Sequence, residues 1–168
     1  MSFQNFLQWG LAASFPGADL RRLDEFTAEY KQLFSTLAKK RGQVIIAGSQ
    51  IPEVSRILAA KGADIIFCPS FTFTEAGFWR VRHCAQARAI ENQVYVVHCP
   101  AVGEPRHPLP NGYGSASILS PCDQDWPSNG VVVEVETNQH MVITGIVNIE
   151  ELYENRKNGA ATTVKDRT

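Results

Sequence analysis

The possible folds of this chain are constrained most strongly by three short apolar runs. Each run is preceded or followed by a stretch with helical periodicity. The runs span residues 43–47, 63–68 and 93–99, and they are rich in valine and isoleucine. The helical patterns span residues 23–40, 52–61 and 77–92. Helices that alternate with short buried strands are typical of parallel strands covered by helices. The sequence therefore predicts a layered arrangement of helices and a sheet over its first hundred residues.

The second of these helices has clear start and stop signals. Pro52 fits the first turn, where its missing N–H is not needed, and Gly62 fits the position just past the end. Val54, Ile57 and Leu58 recur at helical spacing, so we expect them to form the buried face. Pro69 is expected to end the strand that follows, because proline donates no backbone hydrogen bond.

The pattern changes after Pro100. Residues 100–113 are rich in proline and glycine and predict a long irregular loop. Runs at 115–119, 131–136 and 141–147, separated by turn residues, predict antiparallel strands. Asn148 and Glu151 resemble a capping box that opens a short helix over 149–156. Residues 157–168 are polar and are expected to form a loose C-terminal tail. We therefore expect residues 1–168 to form one α+β domain that ends in this tail.

Composition excludes several classes of function. The chain has 168 residues, a formal net charge of −1 and no apolar run near the ~20 residues that span a bilayer. The near-neutral charge argues against a nucleic-acid partner or a membrane surface. None of the four histidines shows metal-ligand spacing, so no metal site is expected. The four cysteines form no CxxC pair and are expected to be reduced thiols of a cytoplasmic protein.

Three stretches carry a resemblance to a known family. They are GADIIFCPSFT at 62–72, RVRHCAQARAIENQVYVV at 80–97 and YGSASILSPCDQDWPSNG at 113–130. In this order and spacing they resemble the second half of the nitrilase superfamily, the carbon–nitrogen hydrolases. The Pro-Glu segment at 51–56 resembles the one that follows the catalytic cysteine of that family. The resemblance covers residues 26–156.

Membership in that family would imply a four-layer α-β-β-α sandwich, incomplete here in its first half. It would imply hydrolysis of amide or nitrile C–N bonds by a cysteine nucleophile, aided by a glutamate and a lysine and without a cofactor. A lysine stabilises the oxyanion of such a reaction, and an electropositive setting favours the thiolate. The resemblance also assigns a remnant of the substrate pocket and a structural hydrogen-bond network at the end of a helix. The pocket remnant is Cys68, Pro69, Ser70, Phe71 and Thr72, and the network is Arg88, Glu91 and Asn92.

The three catalytic positions of the family hold other residues or are missing. The nucleophile position falls on Ile46, and the Phe15-Pro16 pair that should precede the glutamate is followed by Gly17. The stretch that should carry the lysine is absent between Ser49 and Gln50. The sequence therefore predicts no catalytic residue, and it predicts strand edges or apolar surface that need another cover.

Several interpretations of function remain open. The first is a carbon–nitrogen hydrolase domain that has lost its triad and is inactive. The second is an active amidase-like hydrolase with a rebuilt nucleophile such as Cys68. A third is a binding or assembly module, either a homo-oligomer or a partner of a full-length homologue, with a small amide or nitrile as a possible ligand. A spliced transcript that omits the triad segments would also give this chain.

Overall fold

The structure is a computed structural model that describes residues 52–104 and 110–167. The helix predicted over 23–40, the strand predicted over 43–47 and the expected incompleteness of the first half all lie outside the described residues. Within them, one four-stranded sheet has the order β1-β2-β3-β4. Strands β1 and β2 are parallel, whereas β2-β3 and β3-β4 are antiparallel, so the α+β prediction is confirmed. The elements are α1 (Pro52–Ala60), β1 (Ile65–Ser70), α2 (Glu75–Asn92), β2 (Tyr95–Pro100), β3 (Ser117–Leu119), β4 (Val131–Glu134), α3 (Ile149–Asn158) and a 3-10 turn (Lys165–Arg167).

Helix α1 begins and ends where its signals predict, but it buries a different face. Gly62 has a φ of +92°, a conformation that glycine adopts without strain, and its N–H bonds the Ala59 carbonyl. The expected buried face was wrong for Val54 and Ile57, which are exposed, whereas Ser55 is fully buried. Leu58 packs against the core as predicted, together with Ala59.

Strands β1 and β2 both begin two residues further along the chain than the sequence predicts. Pro69 does not end β1, which continues to Ser70. Proline is tolerated there because β1 is an edge of the described sheet, with β2 on its other side. Gln93 was assigned to a strand, yet it caps α2 in the left-handed conformation with a φ of 47°. Strand β2 therefore begins at Tyr95, two residues after Gln93.

Helix α2 covers one face of the sheet and builds the core with it. Thr74 caps its N-terminus by accepting a hydrogen bond from the Gly77 N–H, so the helix begins earlier than residue 77. Alternation along the strands points every second side chain towards α2. The buried residues that form this core are Ile66, Cys68, Val81, Ala85, Ala89, Val94, Val96 and Leu119.

The strand predicted over 141–147 was wrong, because no regular strand forms there. Within the described residues its backbone has no ladder with another segment, and a β-strand needs such a partner to satisfy its N–H and C=O groups. The segment instead lies near the sheet, since a Cβ at Gly145 would stand 3.0 Å from Ile118 Cδ1 and 3.2 Å from Val133 Cγ1. High β-propensity alone did not produce a strand.

Helix α3 fastens the C-terminal segment to the sheet. Asn148 caps the helix as predicted, because its Oδ1 accepts from the Glu151 N–H. The Glu151 carboxylate accepts from Asn148 Nδ2 rather than from the backbone N–H that a capping box uses. Asn155 accepts from Gln93 Nε2 at 2.7 Å and donates to Asp123 Oδ2 at 2.7 Å. The segment expected to be loose is held by the same groups, because the Val164 N–H bonds Gln93 Oε1 and the Ala161 N–H bonds Asp123 Oδ2.

Candidate functional site

The predicted pocket remnant begins at a thiol that is buried in the hydrophobic core. Cys68 lies on the α2-facing side of β1 and is 1% exposed. It belongs to the same cluster as Ile66, Val81 and Leu119. A nucleophilic thiol needs an electropositive, accessible setting, whereas apolar burial disfavours the thiolate. The geometry around Cys68 is that of a small core residue.

Ser70 and His98 form the main polar contact of this region. Strands β1 and β2 bring them together at the carboxyl ends of the parallel pair, with Ser70 Oγ 3.0 Å from His98 Nε2. His98 is 0% exposed and its ring lies parallel to the Phe78 ring at 6.0 Å. Burial, followed by the nearby Arg82 charge, lowers the pKa of His98 to about 4. His98 is therefore a neutral imidazole at neutral pH.

The loop after β1 is tied to the segment before β3. Thr72 Oγ1 donates to the Tyr113 carbonyl at 2.8 Å, and the Tyr113 N–H donates to the Thr72 carbonyl at 2.7 Å. Phe71 packs edge-on against Phe73 with ring centroids 4.8 Å apart. Pro69 is exposed. Of the five predicted pocket residues, Ser70 and Thr72 thus hold the loop in place by hydrogen bonds, and Cys68 anchors it to the core.

An ion pair between a buried arginine and a partly exposed glutamate crosses from α2 to the far edge of the sheet. Arg82 Nε donates to Glu134 Oε1 at 2.8 Å, and its Nη1 donates to Gln86 Oε1 at 3.2 Å. The Arg82 side chain is buried, while Glu134 is partly exposed. This pair fixes α2 over β4 and places a positive charge near His98. Nothing in the local sequence signals the pair, because its members lie 52 positions apart.

The residues of the predicted network contact one another along the last turns of α2. Arg88 Nη1 bonds Glu91 Oε2, and Asn92 Nδ2 donates to the Arg88 carbonyl at 3.0 Å. Arg88 and Asn92 are buried, whereas Glu91 is exposed. These contacts are compatible with a structural role, which stays a prediction. The sequence did not predict a second hydrogen-bond network, which runs from Gln93 through Asn155 to Asp123.

The other three cysteines lie in different surroundings. Cys99 is partly desolvated, which raises the pKa of its thiol and lowers its thiolate fraction at neutral pH. Cys84 is half-buried on α2, and Cys122 is exposed, 3.9 Å from Gln86 Nε2. The His98 imidazole contacts the Ser70 hydroxyl through Nε2. Alternation along β2 could have revealed His98 as buried, because it shares a face with Val96.

We also searched residues 52–104 and 110–167 for metal-ligand clusters and for membrane-spanning helices. Over these ranges, no three His, Cys, Asp or Glu side chains come close enough to hold a metal ion. None of the helices described is long and apolar enough to cross a bilayer.

Comparison with known proteins decides the family. The family model for the carbon–nitrogen hydrolases matches residues 13–150. The chain belongs to the carbon–nitrogen hydrolase family. The resemblance stated from the three sequence stretches is thereby confirmed, and the match extends to residues upstream of 26 that the resemblance did not cover.

Curated relatives of this carbon–nitrogen hydrolase family member are longer proteins. The chain is 39% identical over 142 residues to a probable hydrolase, YhcX, of Bacillus subtilis, covering 81% of this chain and 27% of that protein. It is 36% identical over 89 residues to the human deaminated glutathione amidase, covering 52% of this chain and 26% of that protein. The chain thus spans about a quarter of the length of these relatives.

Solved structures support the fold. A carbon–nitrogen hydrolase from Helicobacter pylori G27 matches with a TM-score of 0.56 and 16% identity, over 73% of this chain and 44% of that one. The C. elegans NitFhit protein matches with a TM-score of 0.50 and 22% identity, over 65% of this chain and 24% of that one. These likenesses establish the nitrilase-type fold for the part of the chain they cover.

Proposed function

We propose that this chain is a carbon–nitrogen hydrolase domain that has lost the Glu-Lys-Cys chemistry of its family and does not hydrolyse amides or nitriles through a thiol. The single observation that carries this proposal is the position of Cys68. Its thiol is 1% exposed in an apolar cluster, where a substrate carbon has no approach to the sulphur.

The remaining cysteines support the same proposal. Partial burial raises the pKa of the Cys99 thiol, whereas an activated nucleophile requires a lowered one. The resemblance places Ile46 at the nucleophile position, and a branched alkyl group offers no lone pair for attack. A Cys68-based amidase is therefore the weaker alternative. As a domain with reduced thiols, the chain is placed in the cytoplasm by this proposal.

The experiment is a hydrolysis assay on simple amides, simple nitriles and deaminated glutathione, the compound named for several relatives. The full chain is compared with Cys68→Ala, which removes the sulphur while keeping a small core side chain. We expect no turnover above the uncatalysed rate for either protein. Turnover by the native chain that disappears in Cys68→Ala, with the unfolding transition preserved, would overturn the proposal and favour the rebuilt amidase.

A second candidate role is assembly, and a specific observation favours it. Val142 is 91% exposed and Ile146 is 95% exposed, which is unusual for neighbouring branched apolar residues in one segment. Such a surface suits contact with another copy of the chain or with a homologue. A small amide or nitrile ligand remains compatible with either role, and titration calorimetry with propionamide or deaminated glutathione would measure it.

A further inference from the structure

The sequence contains three Asn-Gly pairs, which differ in how the structure holds them. They are Asn111-Gly112, Asn129-Gly130 and Asn158-Gly159. An asparagine followed by glycine is especially prone to deamidation, because glycine has no side chain to hinder the attack of its backbone nitrogen on the asparagine carboxamide. The reaction requires that this nitrogen leave its hydrogen bond and that the backbone rotate. The surrounding structure therefore determines which pair reacts.

Two of the pairs are held in the body of the domain. Gly112 is buried and exchanges two backbone hydrogen bonds with Gly103, its own N–H donating at 2.8 Å. Gly130 is also buried, and its N–H donates to a backbone carbonyl at 2.7 Å. The carboxamide before it is held as well, because Asn129 Oδ1 accepts from the Val131 N–H at 3.1 Å. Neither pair can rotate unless the packed structure around it opens.

The third pair lies at the C-terminal end of α3. Asn158 is the last residue of the helix and is exposed, and half-buried Gly159 follows it as the C-cap. The Gly159 N–H donates to the Asn155 carbonyl at 2.7 Å, a bond of the last helical turn. The Asn158 carboxamide makes a long hydrogen bond of 3.3 Å to Glu154 Oε2. Because helix ends fray, this backbone opens at a lower cost than the two buried turns.

We propose that Asn158 is a site of spontaneous deamidation, with water as the co-reactant. The Gly159 nitrogen attacks Asn158 Cγ, so an N–C bond forms and closes a five-membered succinimide while the Cγ–Nδ2 bond breaks. The Nδ2 nitrogen leaves as ammonia and takes up the proton that the Gly159 nitrogen has lost. Water then opens the ring at either carbonyl and leaves aspartate or isoaspartate at position 158. The net change is that one neutral amide becomes one carboxylate.

The new charge falls in surroundings that are already acidic. Asn158 lines a surface pocket whose acidic members are Asp123, Asp125 and Glu154, and none of the described residues that line it is basic. A carboxylate at this position is repelled by those charges and by the negative end of the α3 dipole, and it no longer donates to Glu154. The same pocket anchors the C-terminal segment, since Asp123 Oδ2 accepts from the Ala161 N–H at 3.3 Å. Deamidation therefore loosens the attachment of residues 159–167.

Peptide mapping by mass spectrometry, on the full chain aged at neutral and at mildly alkaline pH, tests the site. We expect deamidation at Asn158 to be at least about tenfold faster than at Asn111 or Asn129, because its backbone opens more readily. It should also be faster at the higher pH, since the attacking nitrogen must lose its proton. Equal rates at the three positions, or a faster reaction at Asn111 or Asn129, would overturn the proposal.

Two variants test the consequence of the new charge. Asn158→Asp introduces the carboxylate directly, whereas Asn158→Gln is the matched control, because it keeps a neutral amide and would have to close a larger ring. We expect the Ala161 and Val164 N–H groups to exchange with solvent several-fold faster in Asn158→Asp than in the native chain, and Asn158→Gln to exchange as the native chain does. Equal exchange in the two variants would contradict the loosening. Neither measurement depends on whether the chain hydrolyses amides.

Discussion

The α2-facing side of the sheet and the segment 141–147 contain similar residues in different surroundings. Both are rich in isoleucine and valine. On the sheet, Ile66 and Val96 are fully buried under α2 and lie in registered strands. In the segment, Val142 and Ile146 are exposed and the backbone has no described ladder. Neighbouring strands and a covering helix, rather than the residues alone, therefore determine whether an apolar run stabilises this protein.

A matched pair of isoleucines gives the largest expected contrast. Ile66→Ala removes fully buried methyl groups and leaves a cavity, so it should lower the free energy of unfolding by about 2–5 kcal/mol. Ile146→Ala removes the same atoms from the surface and should change the monomer by less than about 0.5 kcal/mol. Urea unfolding at low protein concentration measures both. Equal losses would contradict the assigned difference in burial.

The buried histidine predicts how the core side of the sheet responds to acid. His98 has a pKa of about 4 when folded, against about 6.5 when unfolded, so between these values the unfolded chain binds a proton that the folded chain does not. Stability is full above pH 6.5 and falls as the pH approaches 4, by about 3 kcal/mol in total. Unfolding followed from pH 7 to pH 4 measures this loss.

The control for this pH dependence is His98→Gln, which keeps a hydrogen-bonding side chain but does not titrate. Its stability should fall less steeply between pH 6.5 and 4 than that of the native chain. If both proteins lose stability in parallel over this range, the shifted pKa of His98 is not the cause. Carboxylates titrate in both proteins, so their contribution to the pH dependence of stability cancels in the comparison.

Two ion pairs extend the contrast between buried and exposed regions. Glu134→Gln leaves the buried Arg82 without its carboxylate and should cost about 1–3 kcal/mol, a range reduced because Glu134 is partly exposed. Glu154→Gln breaks the exposed Lys157 pair and should cost less than about 0.5 kcal/mol. Thermal unfolding in low and high salt measures both. A larger loss for Glu154→Gln would contradict the assigned burial.

Local signals predicted the helices and the central strands well. Pro52 and Gly62 marked the limits of α1, and Asn148 with Glu151 marked the start of α3, because caps and stops depend on neighbours within one turn. The family resemblance carried the fold class, which the solved structures confirm, whereas the absence of a catalytic cysteine stays a prediction. Long-range side-chain pairs could not be predicted from the sequence. Arg82 with Glu134, and Gln93 with Asn155, are brought together only by the tertiary fold. The strand predicted over 141–147 was wrong for the same reason, because a strand needs a neighbouring strand that its own sequence does not specify.

We propose that the Cys68 thiol is a core residue and not a nucleophile. Site-resolved alkylation with iodoacetamide, followed by mass spectrometry of the native chain at neutral pH, tests this assignment. Exposed Cys122 should react first and Cys68 last, at a rate that rises only when urea begins to unfold the protein. Rapid labelling of Cys68 in the folded protein, ahead of Cys122, would contradict it.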